Sequence, residues 1–173
     1  MGLIIDLQPV AGPALVVGGG HVATRKVRSL AEAQFMATVI APAVTKEVRL
    51  TPGVTVVERE FQPSDLHHEP PWALVIACTG SRSVNREVGN LARLAGIPVL
   101  VADASQESTF FMPAVIRDGE LAVAVSTGGA SPGTARWIRE QIAGAIGPGW
   151  GQMVSRARAE REARLGRRPQ DQG

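Results

Sequence analysis

The sequence predicts a doubly wound α/β domain built on a parallel sheet. Short apolar runs recur along the first hundred residues, and segments with helical periodicity separate them. The first run, Ala14-Leu15-Val16-Val17, ends directly in Gly18-Gly19-Gly20, where a helical pattern begins. Strand, glycine turn and helix in that order make the class Rossmann-like. Beyond Ala102 the pattern changes to a hairpin, one helix and a short helical tail. The expected boundaries are 1–112 for the sheet domain, 113–148 for the hairpin-plus-helix segment and 149–173 for the tail.

Each element has its own signal. Ala14 to Val17 lacks polar alternation, as a strand buried on both faces does. Ala23, Val27, Leu30 and Ala31 then form one stripe of a helix. Phe35 to Ile40 reads as the second strand, stopped by Ala41-Pro42, and Val54 to Val57 as the third. Ala73 to Ala77 is the fourth, followed by a helix with Val88, Leu91, Ala92 and Ala95 on one face and Gly96 at its end. Pro98 to Val101 gives the fifth.

In the second half, Ala114-Val115-Ile116 and Leu121 to Val125 flank Arg117-Asp118-Gly119-Glu120, where Asp-Gly signals a tight hairpin turn. Ser131 and Pro132 suit the N-cap and first position of a helix whose apolar face is Ala135, Ile138, Ile142 and Ala145. Gly147-Pro148-Gly149 ends it. A hairpin and one helix bury little alone, so the segment is expected to pack on the first domain or on a second chain. The last twenty or so residues read as one polar helix and a disordered end.

Composition narrows the classes of function. No apolar run is long enough to cross a bilayer, and the N-terminus lacks the pattern of a secretory signal, so the expected location is cytoplasmic, without membrane. From Met153 onward six arginines face three acids, leaving twelve basic and thirteen acidic residues elsewhere. The basic character therefore belongs to the tail, where a solvated helix face explains it. With no Tyr and few other aromatics, base stacking has little to work with, and no nucleic-acid partner is expected. Cys78 is the only cysteine and reads as a small buried hydrophobe. His67-His68-Glu69 with Asp65 superficially resembles a metal cluster, but adjacent histidines converge poorly on one ion, so no metal is expected.

The glycine turn carries the first chemistry. In Gly18-x-Gly20-x-x-Ala23, Gly18 permits the turn, Gly20 allows a pyrophosphate close to the backbone, and Ala23 lets helix and strand pack. The helix N-terminus offers N–H groups and positive potential to phosphates. The expected ligand is a dinucleotide. About twenty residues on, an acid usually binds the ribose; here Ile40-Ala41-Pro42 stands in that place, with no adjacent Arg for a 2′-phosphate. NAD is favoured over NADP. The adenosine end is left to backbone groups, to Thr38 or to other contacts, and His21 is either a phosphate contact or merely exposed.

Several strings together resemble the siroheme-synthase dehydrogenase/chelatase family, over about Leu15 to Gln152. Val16 to Lys26 is similar to its opening signature, and Ala77-Cys78-Thr79 with Val84-Asn85 to its fourth-strand segment. Val101-Ala102-Asp103 resembles the segment bearing the family's catalytic aspartate, followed by Phe110-Phe111-Met112-Pro113-Ala114. The most specific string is Ser126-Thr127-Gly128-Gly129-Ala130-Ser131-Pro132, with Ala135-Arg136 and Arg139 behind it. The resemblance implies NAD-dependent oxidation of precorrin-2 to sirohydrochlorin, with ferrous iron inserted at the same site in some members. It also implies a homodimer made through the hairpin–helix region.

The site residues expected on these grounds fall into three groups. Asp103 is the catalytic candidate, following the fifth strand at the sheet edge where such folds bind ligands; the alternative is a turn or cap aspartate. Gly18, Gly19, Gly20, His21, Val22, Ala23, Ala41, Pro42 and Thr79 are the cofactor candidates. Ser126, Thr127, Gly128, Gly129, Arg117, Arg136 and Arg139 are the candidates for holding the tetrapyrrole's carboxylates, through guanidinium pairs, hydroxyls and backbone N–H groups. A non-catalytic NAD-sensing dimer that regulates a partner is the competing reading, and the glycine turn fits both.

Overall fold

The computed structural model describes residues 2–166, and the expected disordered end lies outside them. Two compact units divide the chain, one from Gly2 to Phe111 and one beginning at Met112.

The first unit is a five-stranded parallel sheet: β1 (Ala14–Val17), β2 (Ala37–Ile40), β3 (Val54–Val57), β4 (Leu74–Ala77) and β5 (Val99–Val101). Their order across the sheet is β3-β2-β1-β4-β5, with every pair parallel. The central strands β1 and β4 are buried at every residue, which is why they read as unbroken apolar runs. Helix α1 (His21–Glu32) follows β1 and buries Ala23, Val27 and Leu30. A short α2 (Lys46–Leu50) follows β2, and α3 (Arg82–Leu94) follows β4. The sequence pattern does not announce α2, whose single turn is too short to show a period. Thr45 starts it by accepting the Val48 N–H.

Helix ends explain where two strands begin. α1 closes with Gln34 at φ 62, the Gln34 N–H donating to Ala31 and the Phe35 N–H to the Leu30 carbonyl. Phe35, expected to open the second strand, is instead the buried residue that locks this cap, and β2 starts at Ala37. α3 ends the same way, with Gly96 at φ 71 and the Ile97 N–H donating to Ala92. Ala95 is its exposed C-cap, and the buried face runs through Asn85, Val88, Gly89 and Ala92.

The second unit contains β6 (Ala114–Asp118) paired antiparallel with β7 (Leu121–Val125), then α4 (Pro132–Ile146) and α5 (Trp150–Gly166). Asp118 pairs with Leu121, so the two loop residues are Gly119 and Glu120 rather than Asp118 and Gly119. Gly119 supplies the positive φ, 56°, that this kind of turn needs at its first central position. Ser131 caps α4 and Pro132 opens it, as the sequence predicts. Ala135 is buried, Ile138 and Ile142 are half-buried, and Ala145 is exposed. Asp118 Oδ2 accepts the Gly149 and Gly151 N–H groups at 2.8 and 3.2 Å, anchoring the start of α5 to the hairpin. Those backbone bonds hold the Asp118 carboxyl below its usual range.

Candidate functional site

Parallel strands leave their following loops at one edge, so the turns after β1, β4 and β5 share the carboxyl edge of the first unit. The chain passes from β1 to β2 on one side, and β4 lies on the other. Such a reversal is where open α/β sheets place ligands.

The three glycines after β1 differ in what requires them. Gly18 has φ 125, and a Cβ there would stand 2.5 Å from the Cys78 carbonyl oxygen. A Cβ on Gly19 would collide with the Ala43 carbonyl, and the Gly19 carbonyl accepts the Thr45 N–H at 3.0 Å. Protein neighbours therefore account for both. Gly20 has φ −84, and nothing lies within 4 Å of where its Cβ would be. Its missing side chain leaves open space.

Gly20 is also the N-cap of α1, and no side chain caps that helix. α2, α3 and α4 each open beneath a hydroxyl, from Thr45, Ser81 and Ser131, and Asp118 serves the amides around the start of α5. α1 alone among these keeps its first N–H groups and its positive end for something else. An anionic group approaching Gly20 would meet them. These residues fit the pyrophosphate of a dinucleotide.

Around this opening, His21 is exposed, Val22 is half-buried and Ala23 is fully buried. Ala41 is buried and donates its N–H to the Val57 carbonyl, while Pro42 is exposed at the start of the next loop. That loop folds back onto the glycine turn through Thr45, whose hydroxyl lies 2.9 Å from that of Thr24. The structure thus brings Gly18–Ala23 and Ala41–Pro42 to one place. Thr38 sits two residues short of the end of β2, paired with Leu15 and Thr55, away from that edge.

Thr79 follows β4, and its hydroxyl is engaged. It donates to Asn85 Oδ1 at 2.8 Å and accepts the Ser81 N–H at 3.1 Å. The Thr79 N–H also donates to Asn85 Oδ1, and Asn85 Nδ2 returns a bond to the Thr79 carbonyl. Asn85 is 1% exposed, the one buried polar side chain among the described residues. It holds the turn against which Gly18 rests. Sequence reading noted Asn85 only within a motif; the available signal was an amide on the same helical stripe as Val88 and Ala92.

Asp103 lies in the turn after β5. Ala102 before it donates its N–H to the Ala77 carbonyl, and Ala104 after it is buried and donates to Val101. The side chain between them is exposed and has no hydrogen bond or ion pair among the described residues. Ala104, not Asp103, caps the 3-10 turn Ser105–Glu107, so of the alternative reading the cap does not hold while the place in a turn does. The carboxylate is free on a fixed backbone.

The remaining candidates are in the second unit. Gly128 and Gly129 have φ 62 and 82. Ser126 Oγ accepts the Gly128 N–H, and Thr127 Oγ1 accepts the Ser131 N–H. Both hydroxyls keep their protons for donation. Arg117 and Arg136 are exposed, and Arg139 is half-buried, bonded to Glu140 at 2.8 Å.

Other reactive groups have settled partners. Asp65 pairs with Arg59 and accepts the Gln62 N–H, and His68 stacks on Trp72 with ring centres 4.0 Å apart. Burial pushes the Cys78 thiol up to about 12, against the pull of nearby Lys26. Burial likewise holds the Lys26 ammonium below its usual range.

Comparison with known proteins agrees with this geometry. The family described as "Putative NAD(P)-binding" matches residues 5–114, and "Sirohaem biosynthesis protein central" matches residues 118–145. The siroheme synthase of Nitrosomonas europaea is 39% identical over 147 residues, 83% of this chain and 30% of that protein. That of Pseudomonas paraeruginosa is 41% identical over 147 residues, again 83% of this chain and 31% of its own length. The chain therefore spans less than a third of these relatives. A solved structure, "SirC, precorrin-2 dehydrogenase", superposes with a TM-score of 0.65 at 25% identity, covering 90% of this chain and 75% of that one. With its strand–glycine–helix opening and sheet order inside the matched region, the chain belongs to the family described as putative NAD(P)-binding.

Proposed function

We propose that this protein oxidises precorrin-2 to sirohydrochlorin with NAD. The observation that carries the reading is the pairing, on one sheet edge, of an uncapped helix over Gly20 with the free carboxylate of Asp103. NAD, when bound, supplies the hydride acceptor. The amides at the start of α1 hold its phosphates, with Gly20 giving access and His21 and Pro42 at the rim. The turn of Thr79 offers its surface beside Gly18. Asp103 takes the proton released as the macrocycle loses hydride, or holds the ring for that loss. Within the second unit taken by itself, the guanidinium groups of Arg117, Arg136 and Arg139 and the donors of Ser126 to Gly129 are of the chemistry that binds carboxylates, which the ring's side chains carry.

The likeness to a precorrin-2 dehydrogenase and to siroheme synthases supports this choice of substrate. The same carboxylate would accept pyrrole protons during insertion of ferrous iron, which is the second substrate to try. The functional form is a homodimer made through the second unit. Trp137 and Met153 are 60% and 58% exposed there, and Ala135 is its only buried hydrophobic side chain among the described residues. The setting is the cytoplasm; no helix among the described residues is long and apolar enough to cross a membrane.

The test mixes purified protein, NAD and precorrin-2 and follows NADH by absorbance. Turnover is expected in the wild type, and its loss with intact NAD affinity in Asp103→Ala. A silent trace from wild-type protein that binds NAD would favour the sensor reading, and parallel loss of NAD binding in the variant would make Asp103 structural.

A further inference from the structure

We infer that Glu107 and Arg82 are positioning residues, whose ion pair fixes the Asp103 loop to the opening of α3. The inference rests on the reading of Asp103 as the reacting carboxylate.

The loop from Ala102 to Glu107 is a short excursion tied at both ends. At its start, the Ala102 N–H is bonded to the Ala77 carbonyl. At its end the chain returns along β5 without forming a strand, and side chains replace the missing ladder. Ser108 Oγ accepts the Val101 N–H at 2.9 Å, and Thr109 Oγ1 accepts the Val99 N–H at 2.8 Å. These bonds set where the loop begins and finishes.

The far end of the excursion, at Glu107, is also held from α3. Arg82, the first residue of that helix, pairs with Glu107 Oε1, and Arg93 in its last turn donates to the Glu107 carbonyl at 2.6 Å. Arg82 stands next to Ser81, the N-cap of α3, whose N–H donates to the Thr79 hydroxyl at 3.1 Å. One ion pair therefore joins the turn after β4 to the turn after β5, the two loops that flank the proposed reaction centre.

The pair is poorly arranged as a stabilising device. Glu107 Oε2 is buried without a hydrogen-bond partner, and a carboxylate oxygen left so is costly. Arg82 is 45% exposed at its side chain, where solvent weakens the attraction. A link with so little to offer stability is suited to fixing geometry. Asp103 has no bond of its own among the described residues, so its position depends on the backbone, and this link is one of the ties that hold that backbone.

The test compares wild type, Glu107→Gln, Arg82→Gln and the reversed pair Arg82→Glu/Glu107→Arg in the precorrin-2 assay, with NAD affinity measured separately by calorimetry. Each single variant is expected to lower kcat by about tenfold or more, as small displacements of a reacting group do, with NAD affinity within about twofold of wild type. The reversed pair is expected to recover a large part of kcat. Single variants with wild-type kcat, or a fall in NAD affinity parallel to kcat, would overturn the inference. Arg82→Gln alters an exposed side chain and carries the test if Glu107→Gln does not fold. Absence of turnover in the wild type would instead strike the proposed function, so the two failures are distinct.

Discussion

Gly18 and Cys78 touch backbone to backbone across the switch point of the sheet, where a Cβ on Gly18 would stand 2.5 Å from the Cys78 carbonyl oxygen. The φ of 125° adds a second barrier to any side chain. Gly18→Ala is expected to destabilise the first unit by about 2–4 kcal/mol, combining backbone strain with overpacking. Urea unfolding measures it. A midpoint equal to wild type would show that the two turns can separate without cost.

Asn85 is the buried amide that closes the turn after β4. Removing it takes away the acceptor of the Thr79 N–H and hydroxyl, and the donor to the Thr79 carbonyl, at a half-buried turn. Asn85→Ala should cost about 2–4 kcal/mol, since unsatisfied buried groups add to the lost bonds. Asn85→Asp keeps the accepting oxygen but places a carboxylate in the core, and should be destabilised most at neutral pH and least in acid. Thermal melts across pH decide it; equal stability of Asn85→Ala and wild type would contradict the assigned role.

These two residues show what the sequence made legible. The central strands were plain because burial on both faces removes every polar residue from Ala14–Val17 and Leu74–Ala77. The glycine turn was plain as a motif, yet only coordinates separate Gly18 and Gly19, held by protein, from Gly20, which is not. α2 stayed hidden because one helical turn has no period. The hairpin turn was displaced by one residue because Asp118 spends its carboxylate on α5 rather than on the turn. Glu107 could not be found, because its meaning lies in Arg82, twenty-five residues earlier.

Asp118 makes the second unit sensitive to acid. Its carboxyl is held below the usual range by the Gly151 and Gly149 N–H groups, so the folded form favours the charged state. That contribution is fully present above the ordinary carboxyl range and is lost as pH falls through the depressed folded value. Asp118→Asn should therefore melt below wild type at neutral pH, with the difference shrinking on acidification. A difference that persists unchanged in acid would mean the amide bonds do not depend on charge.

Cys78 is expected to be inert in the folded protein. With its thiol pushed up to about 12 and its side chain buried, the thiolate is scarce near neutrality. A thiol reagent should label it slowly in buffer and at once in denaturant. Fast labelling of native protein would show that the contact between the turns after β1 and β4 opens readily.

NAD binding at this sheet edge requires its phosphates to rest over Gly20 at the start of α1. Calorimetric titration of NAD into wild-type protein and Gly20→Asp tests this most directly, because the open space at that Cβ lets the variant fold. Saturable binding by the wild type, with none detectable in an equally stable variant, is the predicted result. Unchanged NAD affinity in Gly20→Asp would contradict it.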